Sequence, residues 1–255
     1  MSTVDRFSRD GTLLLGAGYA ILMQVANPVI GAAVAEHSDF AHKPLSRLNN
    51  TLTFVYGVVL GTGAEAEQVA SFTRRAHARI PEANDPEHQL WVAATLYQTA
   101  VRVYERVYGA LAEHDAQAVL ETYSALGTSL EVPLERWPAT PALFHEYWTD
   151  RVTALRVGPP ARQVAHDLFH PVTAPRTMRA ALPLMALLTA DLLGDELREA
   201  YGMPWSRRRA RRAAAAWGVI RVLARILPAH AMAAPSRHYL KRLRSFTSSS
   251  LRRAS

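Results

Sequence analysis

Apolar residues recur at helical spacing along most of the chain, and no stretch of useful length alternates as a strand would. The clearest helix follows Asp85-Pro86-Glu87, which combines a cap, a first-turn proline and an acid. Its apolar positions follow at alternating spacings of four and three: Leu90, Ala94, Tyr97, Val101, Tyr104, Tyr108 and Leu111. The pattern predicts an all-α, single-domain bundle of many helices.

Prolines and glycines divide the rest of the chain into further predicted helices. Pro44 begins one that Gly61-Thr62-Gly63 ends, and the next runs from Ala64 to Ile80, before Pro81. Glu36 to Phe40 is predicted as a loop. Other helices are predicted around residues 119–130, 144–148, 160–169, 174–194 and 206–227.

The segment from Gly11 to Ala35 carries no charge and is long enough to cross a bilayer. Gln24, Asn27 and Pro28 lie in its middle, and Pro28 should break a helix there. We therefore favour two short buried helices that meet at residues 24–28 over a membrane span. Because polar groups in an apolar run need partners, this elbow is expected to border a cavity.

Charge is distributed unevenly along the 255 residues, whose formal net charge is +7. Residues 201–255 carry 13 Lys/Arg and no Asp or Glu, whereas residues 1–200 carry 16 Lys/Arg and 22 Asp/Glu. We predict a helical body over residues 1–205 and a basic helical extension over residues 206–255 that packs on it. The absence of cysteine excludes disulfides, iron–sulfur clusters, thiolate-ligated haem and cysteine nucleophiles.

The basic extension begins with a run of arginines from Arg207 to Arg212 and continues as an amphipathic helix. Its predicted packed side carries Ala213, Trp217, Ile220, Ala224 and Leu227. A docked helix with a solvated basic face is the simplest interpretation, and contact with an anionic membrane surface comes next. Nucleic acid is the least favoured partner, because no nucleic-acid fold pattern surrounds the tail. With no signal-type segment at the start, the expected location is cytoplasmic, with membrane association left open.

Two clusters carry the candidate chemistry. Arg47 and Thr51 are four residues apart and so share one face of a helix. His77 follows Arg74 and Arg75 in an apolar helical pattern. A helix-borne imidazole facing a pocket can bind iron, and guanidinium groups pair with carboxylates. Arg74 and Arg75 cannot both face the pocket, because neighbouring residues on a helix point about 100° apart, so one of them must face solvent.

Each candidate also has a structural interpretation. His77 could be a hydrogen-bonded core histidine, Arg47 a surface salt-bridging residue, and Thr51 a residue bonding to its own helix. His37 is either an alternative ligand or a loop histidine. His166 and His170 have a spacing that can bind metal, but no third ligand is evident and helix-end capping is favoured.

Several motifs resemble those of the rubber oxygenase (latex-clearing protein) and MpaB-type oxygenase family, over roughly residues 11–205. They are Gln24-Val25-Ala26-Asn27-Pro28, Glu36-His37-Ser38-Asp39-Phe40, Arg47-x-x-x-Thr51, Arg75-Ala76-His77, Leu90-Trp91-Val92-Ala93-Ala94-Thr95-Leu96 and Tyr201-Gly202-Met203-Pro204-Trp205. Each motif is weak alone, whereas their order and spacing together are specific.

The resemblance implies an all-helical protein with a haem pocket, one b-type haem held by a single histidine, and oxidation with O₂. The proximal role falls on His77, and Arg47 with Thr51 matches the pair that lines the haem pocket. The sequence departs from the pattern at Asn50, which replaces the distal lysine of rubber oxygenases, and at Asn27 and Ala93, which replace histidines. No carboxylate occupies the position of the proposed catalytic base, near Gly31, so polyisoprene cleavage does not carry over.

The predicted function is therefore a haem b-dependent oxygenase or oxidase acting with O₂ on an apolar alkene, isoprenoid or other natural product. The candidate catalytic residues are Arg47, Asn50 and Thr51; His77 is the candidate iron ligand; the other candidate cofactor-binding residues are Arg47, Arg74, Arg75, Asn27 and His37. The alternative is a non-catalytic helical module whose basic tail docks on a membrane or partner.

Overall fold

Helices account for all the regular secondary structure that the computed structural model describes. It describes residues 2–37 and 42–254, with the side chains of residues 44, 45 and 246–254 excepted. These residues form fourteen α-helices and no strand, which confirms the all-α prediction. The helices are α1 Thr3–Arg9, α2 Ala17–Val25, α3 Pro28–His37, α4 Pro44–Leu60, α5 Gly63–His77, α6 Pro86–Tyr108, α7 Glu113–Thr128, α8 Pro141–Thr153, α9 Pro159–Phe169, α10 Arg176–Leu192, α11 Asp195–Ala200, α12 Arg207–Ile226, α13 Ala229–Met232 and α14 Ala234–Ala254. Three 3₁₀ helices, Gly11–Gly16, Pro81–Asn84 and Leu134–Arg136, connect them.

Helix α6 runs through the hydrophobic core, and it starts where the sequence predicts. The Asp85 carboxylate accepts hydrogen bonds from the backbone N–H groups of Glu87 (2.7 Å) and His88 (3.3 Å). Tyr97 is buried, and its ring lies 4.5 Å from the ring of Phe144 and 5.9 Å from that of Tyr123, centroid to centroid. Tyr97 is thus a core residue, as its spacing predicts, whereas Tyr104 is partly buried and Tyr108 is 38% exposed.

The elbow between α2 and α3 confirms the prediction of two short helices, but α3 is mostly exposed, so the prediction that both are buried was wrong for α3. The helical segments Gly11–Val25 and Pro28–His37 are bent by 111° at the break between them. The Asn27 side chain caps α3 by accepting from the backbone N–H groups of Val29 (3.0 Å) and Ile30 (3.2 Å). Among the described residues no single helix is long and apolar enough to span a membrane. The two segments of this bent pair together have the length and the apolar composition of a span, but nothing more points to one.

Three distant parts of the chain donate hydrogen bonds to carbonyl groups at the elbow. Trp91 Nε1 donates to Met23 O (3.2 Å), the Tyr201 hydroxyl to Leu22 O (2.6 Å), and the Arg156 backbone N–H to Ala26 O (2.9 Å). Because the end of α2 is buried, these bonds satisfy carbonyls that water does not reach. Residues 91, 156 and 201 therefore fix the position of the elbow.

Helices α4 and α5 form a hairpin across a two-residue link. Thr62 and Glu65 form a reciprocal capping box at the start of α5. Gly57 allows close packing of this pair, because a Cβ there would lie 2.9 Å from Val69 Cγ2 and 3.3 Å from Leu243 Cδ2. A short link makes the two helices antiparallel neighbours, so residues equally far from the link come side by side.

Three predicted boundaries were wrong. Helix α6 ends at Tyr108 rather than reaching Leu111, because Gly109 follows it with a positive φ of 94°. Helix α5 ends at His77 rather than Ile80, because Ile80 precedes Pro81 and takes an extended conformation. The Asn84 side chain donates to the carbonyls of His77 (3.0 Å) and Ile80 (3.3 Å), which also accept from the backbone N–H groups of Ile80 (2.8 Å) and Ala83 (3.0 Å). Glu36 and His37 belong to α3 rather than to a loop, and residues 38–40 of that predicted loop lie outside the described residues.

The basic extension forms α12, α13 and α14. Trp217 of α12 is buried and donates from Nε1 to the Asp191 carboxylate (3.0 Å), which also pairs with Arg106 (2.7 Å). Helix α14 packs on α4, where the Tyr239 ring stacks on Tyr56 at 5.7 Å. Leu227 was expected on the packed side of α12 but is 44% exposed, because α12 ends at Ile226. The proposed boundary between residues 205 and 206 stays a prediction.

The α4–α5 contact yields a stability prediction. Gly57→Ala should lower the free energy of unfolding by about 1–3 kcal/mol, because the added methyl meets the stiff, buried side chain of Val69. Gly218→Ala is the matched control, since a Cβ there has nothing within 4 Å and α12 should gain about 0.5–1 kcal/mol. Urea unfolding followed by circular dichroism measures both. Equal effects of the two variants would contradict the close packing described here.

Candidate functional site

A cavity of about 340 Å³ lies among helices α2 to α7, within the size range of small-molecule sites. Its walls include both candidate clusters, from α4 and from α5. The lining residues are Gln24, Ile30, Ala33, Val34, His37, Arg47, Asn50, Thr51, Phe54, Phe72, Thr73, Ala76, His77, Ile80, Glu82, Ala83, His88, Gln89, Val92, Ala93, Leu96, Leu126 and Leu130. Thirteen of these 23 residues are apolar and ten are polar or charged, with Arg47 and Glu82 as the charged ones.

His77 lies in the cavity wall at the last residue of α5. Its Nδ1 is buried and has no hydrogen-bond partner within the described structure. Burial lowers the pKa of the His77 imidazole, and the positive charge of Arg47 lowers it further. The ring is therefore kept neutral, which is the form that binds a metal ion. A buried polar atom without a partner marks a position where a ligand could supply the missing contact.

Arg47 lies in the first turn of α4 and lines the same cavity. It is thirteen residues from the end of α4, and His77 is fourteen from the start of α5, so the hairpin brings them to one end. Burial lowers the pKa of the Arg47 guanidinium, but such a group stays charged at physiological pH. The site thus combines a fixed positive charge with a neutral imidazole.

The remaining polar candidates lie toward the open side of the cavity. Asn50, Thr51 and His37 all line it and are all exposed. Phe72 is 59% exposed while also lining the cavity, which places its ring at the opening. Four of the predicted polar residues, Arg47 included, are therefore brought together with His77 around one space.

Three other predicted cofactor-binding residues lie outside the cavity lining. Arg74 donates to Ser129 O (2.6 Å) and pairs with Glu67 (2.5 Å). Arg75 donates to the Ser71 hydroxyl (2.6 Å), and Asn27 caps α3. These side chains have structural partners here, and their roles toward a cofactor stay predictions.

Sequence reasoning missed a polar group on α6. Gln89 is buried and donates to Ala83 O (3.0 Å), while its Oε1 has no partner within the described structure. Gln89, Val92, Ala93 and Leu96 all line the cavity and follow the spacing of one helix face. The spacing of these four residues is visible in the sequence next to that of the core residues of α6. It is the pattern from which Gln89 could have been predicted as a cavity residue. Glu82 and His88 were missed because their segment was interpreted only as a helix start.

The second histidine pair does not resemble a metal site. The rings of His166 and His170 stack at 4.8 Å, and His170 Nδ1 lies 3.0 Å from His166 O at the end of α9. Among the described residues no group of three or more His, Asp or Glu side chains is arranged to hold a metal ion. The pair is accounted for by helix-end capping.

Helical walls, a half-buried imidazole with a lowered pKa and a chamber with apolar walls together form a candidate small-molecule site. The chain matches the family described as ER-bound oxygenase mpaB/B′/rubber oxygenase, catalytic domain, over residues 5–225. It belongs to that oxygenase family, which confirms the resemblance seen in the sequence and implies the use of O₂.

Two mycobacterial proteins are similar to the chain over most of its length. They are the uncharacterised proteins Mb2261 of Mycobacterium bovis and Rv2237 of Mycobacterium tuberculosis, each 31% identical over 222 residues. The alignments cover 82% of this chain and 87% of each relative. No solved structure gives a significant match.

The electrostatics of the cavity predict how readily the His77 imidazole binds a proton. We expect the His77 imidazole to titrate at lower pH than an ordinary histidine, because burial and Arg47 oppose its charging. The unfolded chain binds this proton more readily, so stability should fall as the pH drops through the ordinary histidine range. Arg47→Gln should raise the pKa of His77 without restoring it fully, since burial is the larger cause. Imidazole NMR titration tests both, and a wild-type ring that titrates normally would refute the burial described here.

Proposed function

We propose that the protein is a haem b-dependent oxygenase or oxidase that acts with O₂ on an apolar small molecule. The observation that carries the proposal is the buried, unpartnered Nδ1 of His77 in the wall of a ligand-sized cavity. Family membership supports the oxygenase class. The haem and the apolar substrate are the parts that this proposal adds.

The residues around the cavity fit a haem by their chemistry. His77 would hold the haem iron through its imidazole, and Arg47 would pair with a haem carboxylate. When bound, haem b would supply the activation of O₂ and the redox chemistry that protein side chains lack. The polypeptide would then bind the haem and the substrate, orient them relative to each other and set the polarity of the cavity.

The walls of the cavity favour an apolar substrate. Ile30, Val34 and Phe54 line one side, and Val92, Leu96 and Leu126 line another. Such walls bind hydrocarbon surface and keep water from the reacting groups. They would position an alkene, isoprenoid or other apolar natural product without charged contacts.

Polar groups on α4 would set the orientation of the substrate and of bound O₂. Asn50 and Thr51 both line the cavity, and each can donate and accept a hydrogen bond. Neither is a strong acid or base at neutral pH. Because Asn50 replaces the lysine of rubber oxygenases, we propose a reaction other than polyisoprene cleavage.

Reconstitution with haem tests the proposed ligand directly. The purified protein, titrated with haem, should develop a Soret band that His77→Ala abolishes or shifts strongly. His166→Ala is the matched control, because that exposed ring lies outside the cavity lining, and it should bind haem as the wild type does. A wild-type protein that stays colourless, or an unchanged spectrum in His77→Ala, would reject the assignment and favour a non-catalytic module.

A second pair of variants tests the proposed role of Arg47. Arg47→Leu should weaken haem binding by about tenfold or more, because a charge-assisted hydrogen bond to a carboxylate is lost. The position of the Soret band should not change, since His77, the proposed iron-binding residue, is retained. Arg75→Leu should have little effect, because Arg75 is exposed and its side chain bonds to Ser71. Equal losses in the two variants would argue against a specific contact from Arg47.

A further inference from the structure

Helix α12 carries two apolar stripes, of which only one is packed against the body. Ala213 and Trp217 are buried, and Ile220 and Ala224 pack beside them. The other stripe faces away from the protein and is called here the outer stripe. It consists of Val219, Val222, Leu223, Ile226 and the capping Leu227, with exposed fractions of 60%, 56%, 43%, 69% and 44%.

The outer stripe is the main concentration of exposed large apolar side chains in the described part of the chain. Five of the twelve such residues found there belong to it. Isolated exposed apolar residues are normal, whereas a contiguous row at helical spacing marks a surface that contacts an apolar phase or a partner.

Exposed arginines extend the same face of α12 toward its beginning. Arg212 precedes Val219 by seven residues and Arg208 by eleven, so on a helix all three point in about the same direction. Arg211 lies beside them, and all three guanidinium groups are exposed. No ion pair of these three arginines is found among the described residues, and residues 201–255 contain no acid. The face is therefore basic in its first half and apolar in its second.

We propose that this face of α12 docks on the surface of an anionic lipid bilayer. The outer stripe enters the boundary between headgroups and acyl chains, and Arg208, Arg211 and Arg212 contact the negatively charged headgroups. Charge complementarity identifies the occupant, because a second copy docked face to face would set the arginines of one helix against either the arginines or the apolar half of the other, and neither arrangement neutralises them. Nucleic acid would satisfy the arginines and leave the apolar row in water. The proposal does not rest on haem binding or on the identity of the substrate.

Vesicle co-sedimentation of the full-length protein tests the proposal. The protein should bind phosphatidylcholine vesicles that contain phosphatidylserine, bind pure phosphatidylcholine vesicles far more weakly, and dissociate as salt is raised. Val222→Ser with Ile226→Ser should weaken binding by about tenfold or more, because apolar insertion is lost. Arg208→Gln with Arg211→Gln and Arg212→Gln should weaken it by at least as much.

Leu134→Ser is the matched control, since Leu134 is 63% exposed but lies outside α12, and it should bind as the wild type does. All substituted positions are exposed, and circular dichroism checks that each variant is folded. Failure of the wild type to bind anionic vesicles would overturn the proposal. It would also be overturned if the serine variant bound vesicles normally or if Leu134→Ser lost as much binding. If the wild type proved to be a dimer that the serine substitutions convert to a monomer while vesicle binding is unchanged, the face would be assigned to a second copy of the chain instead. Oligonucleotide binding that depends on the arginines, with no vesicle binding, would assign the face to nucleic acid instead.

Discussion

The geometry of the candidate site depends on the short link between α4 and α5. Two residues and a capping box force the chain to reverse there, and the lack of a side chain at Gly57 lets the two helices approach closely. Arg47 and His77 are separated by thirty residues in sequence. They reach the same cavity because Arg47 in α4 and His77 in α5 lie at nearly equal distances from this link. Everything proposed about the chemistry, from the neutral imidazole to the nearby positive charge, follows from that reversal.

The C-terminal part of the chain stabilises the same hairpin from outside. The Tyr239 hydroxyl donates to the Asn49 side chain (2.7 Å), next to Asn50 of the cavity wall. Arg244 pairs with Glu65 (2.8 Å), which is the acid of the capping box. This ion pair lowers the pKa of the Glu65 carboxyl. Helix α14 therefore supports the cavity, and α12 is the element of the tail whose outer side is left for another contact.

Sequence reasoning predicted those features that depend on neighbouring residues. Periodicity, the Asp85 cap and Pro28 locate α6 and the elbow, because spacing, capping and proline chemistry are local. It could not predict that Arg74 would turn toward Ser129 or that Gln89 would enter the cavity, because both depend on how distant helices pack. The outer stripe was missed for a related reason. Valine, leucine and isoleucine look alike in sequence whether a neighbouring helix covers them or not, so exposure becomes visible only once the body of the protein is in place.

The carbonyl groups at the elbow have a consequence for biosynthesis. Their donors, Trp91, Arg156 and Tyr201, are spread over more than a hundred residues, and the last of them closes a loop of 179 residues. A ribosome must therefore synthesise the chain as far as Tyr201 before this corner of the chamber can be completed. Until then the apolar segment from Gly11 to Ala35 lacks much of its cover, and a nascent chain in that state would be a natural client for a chaperone.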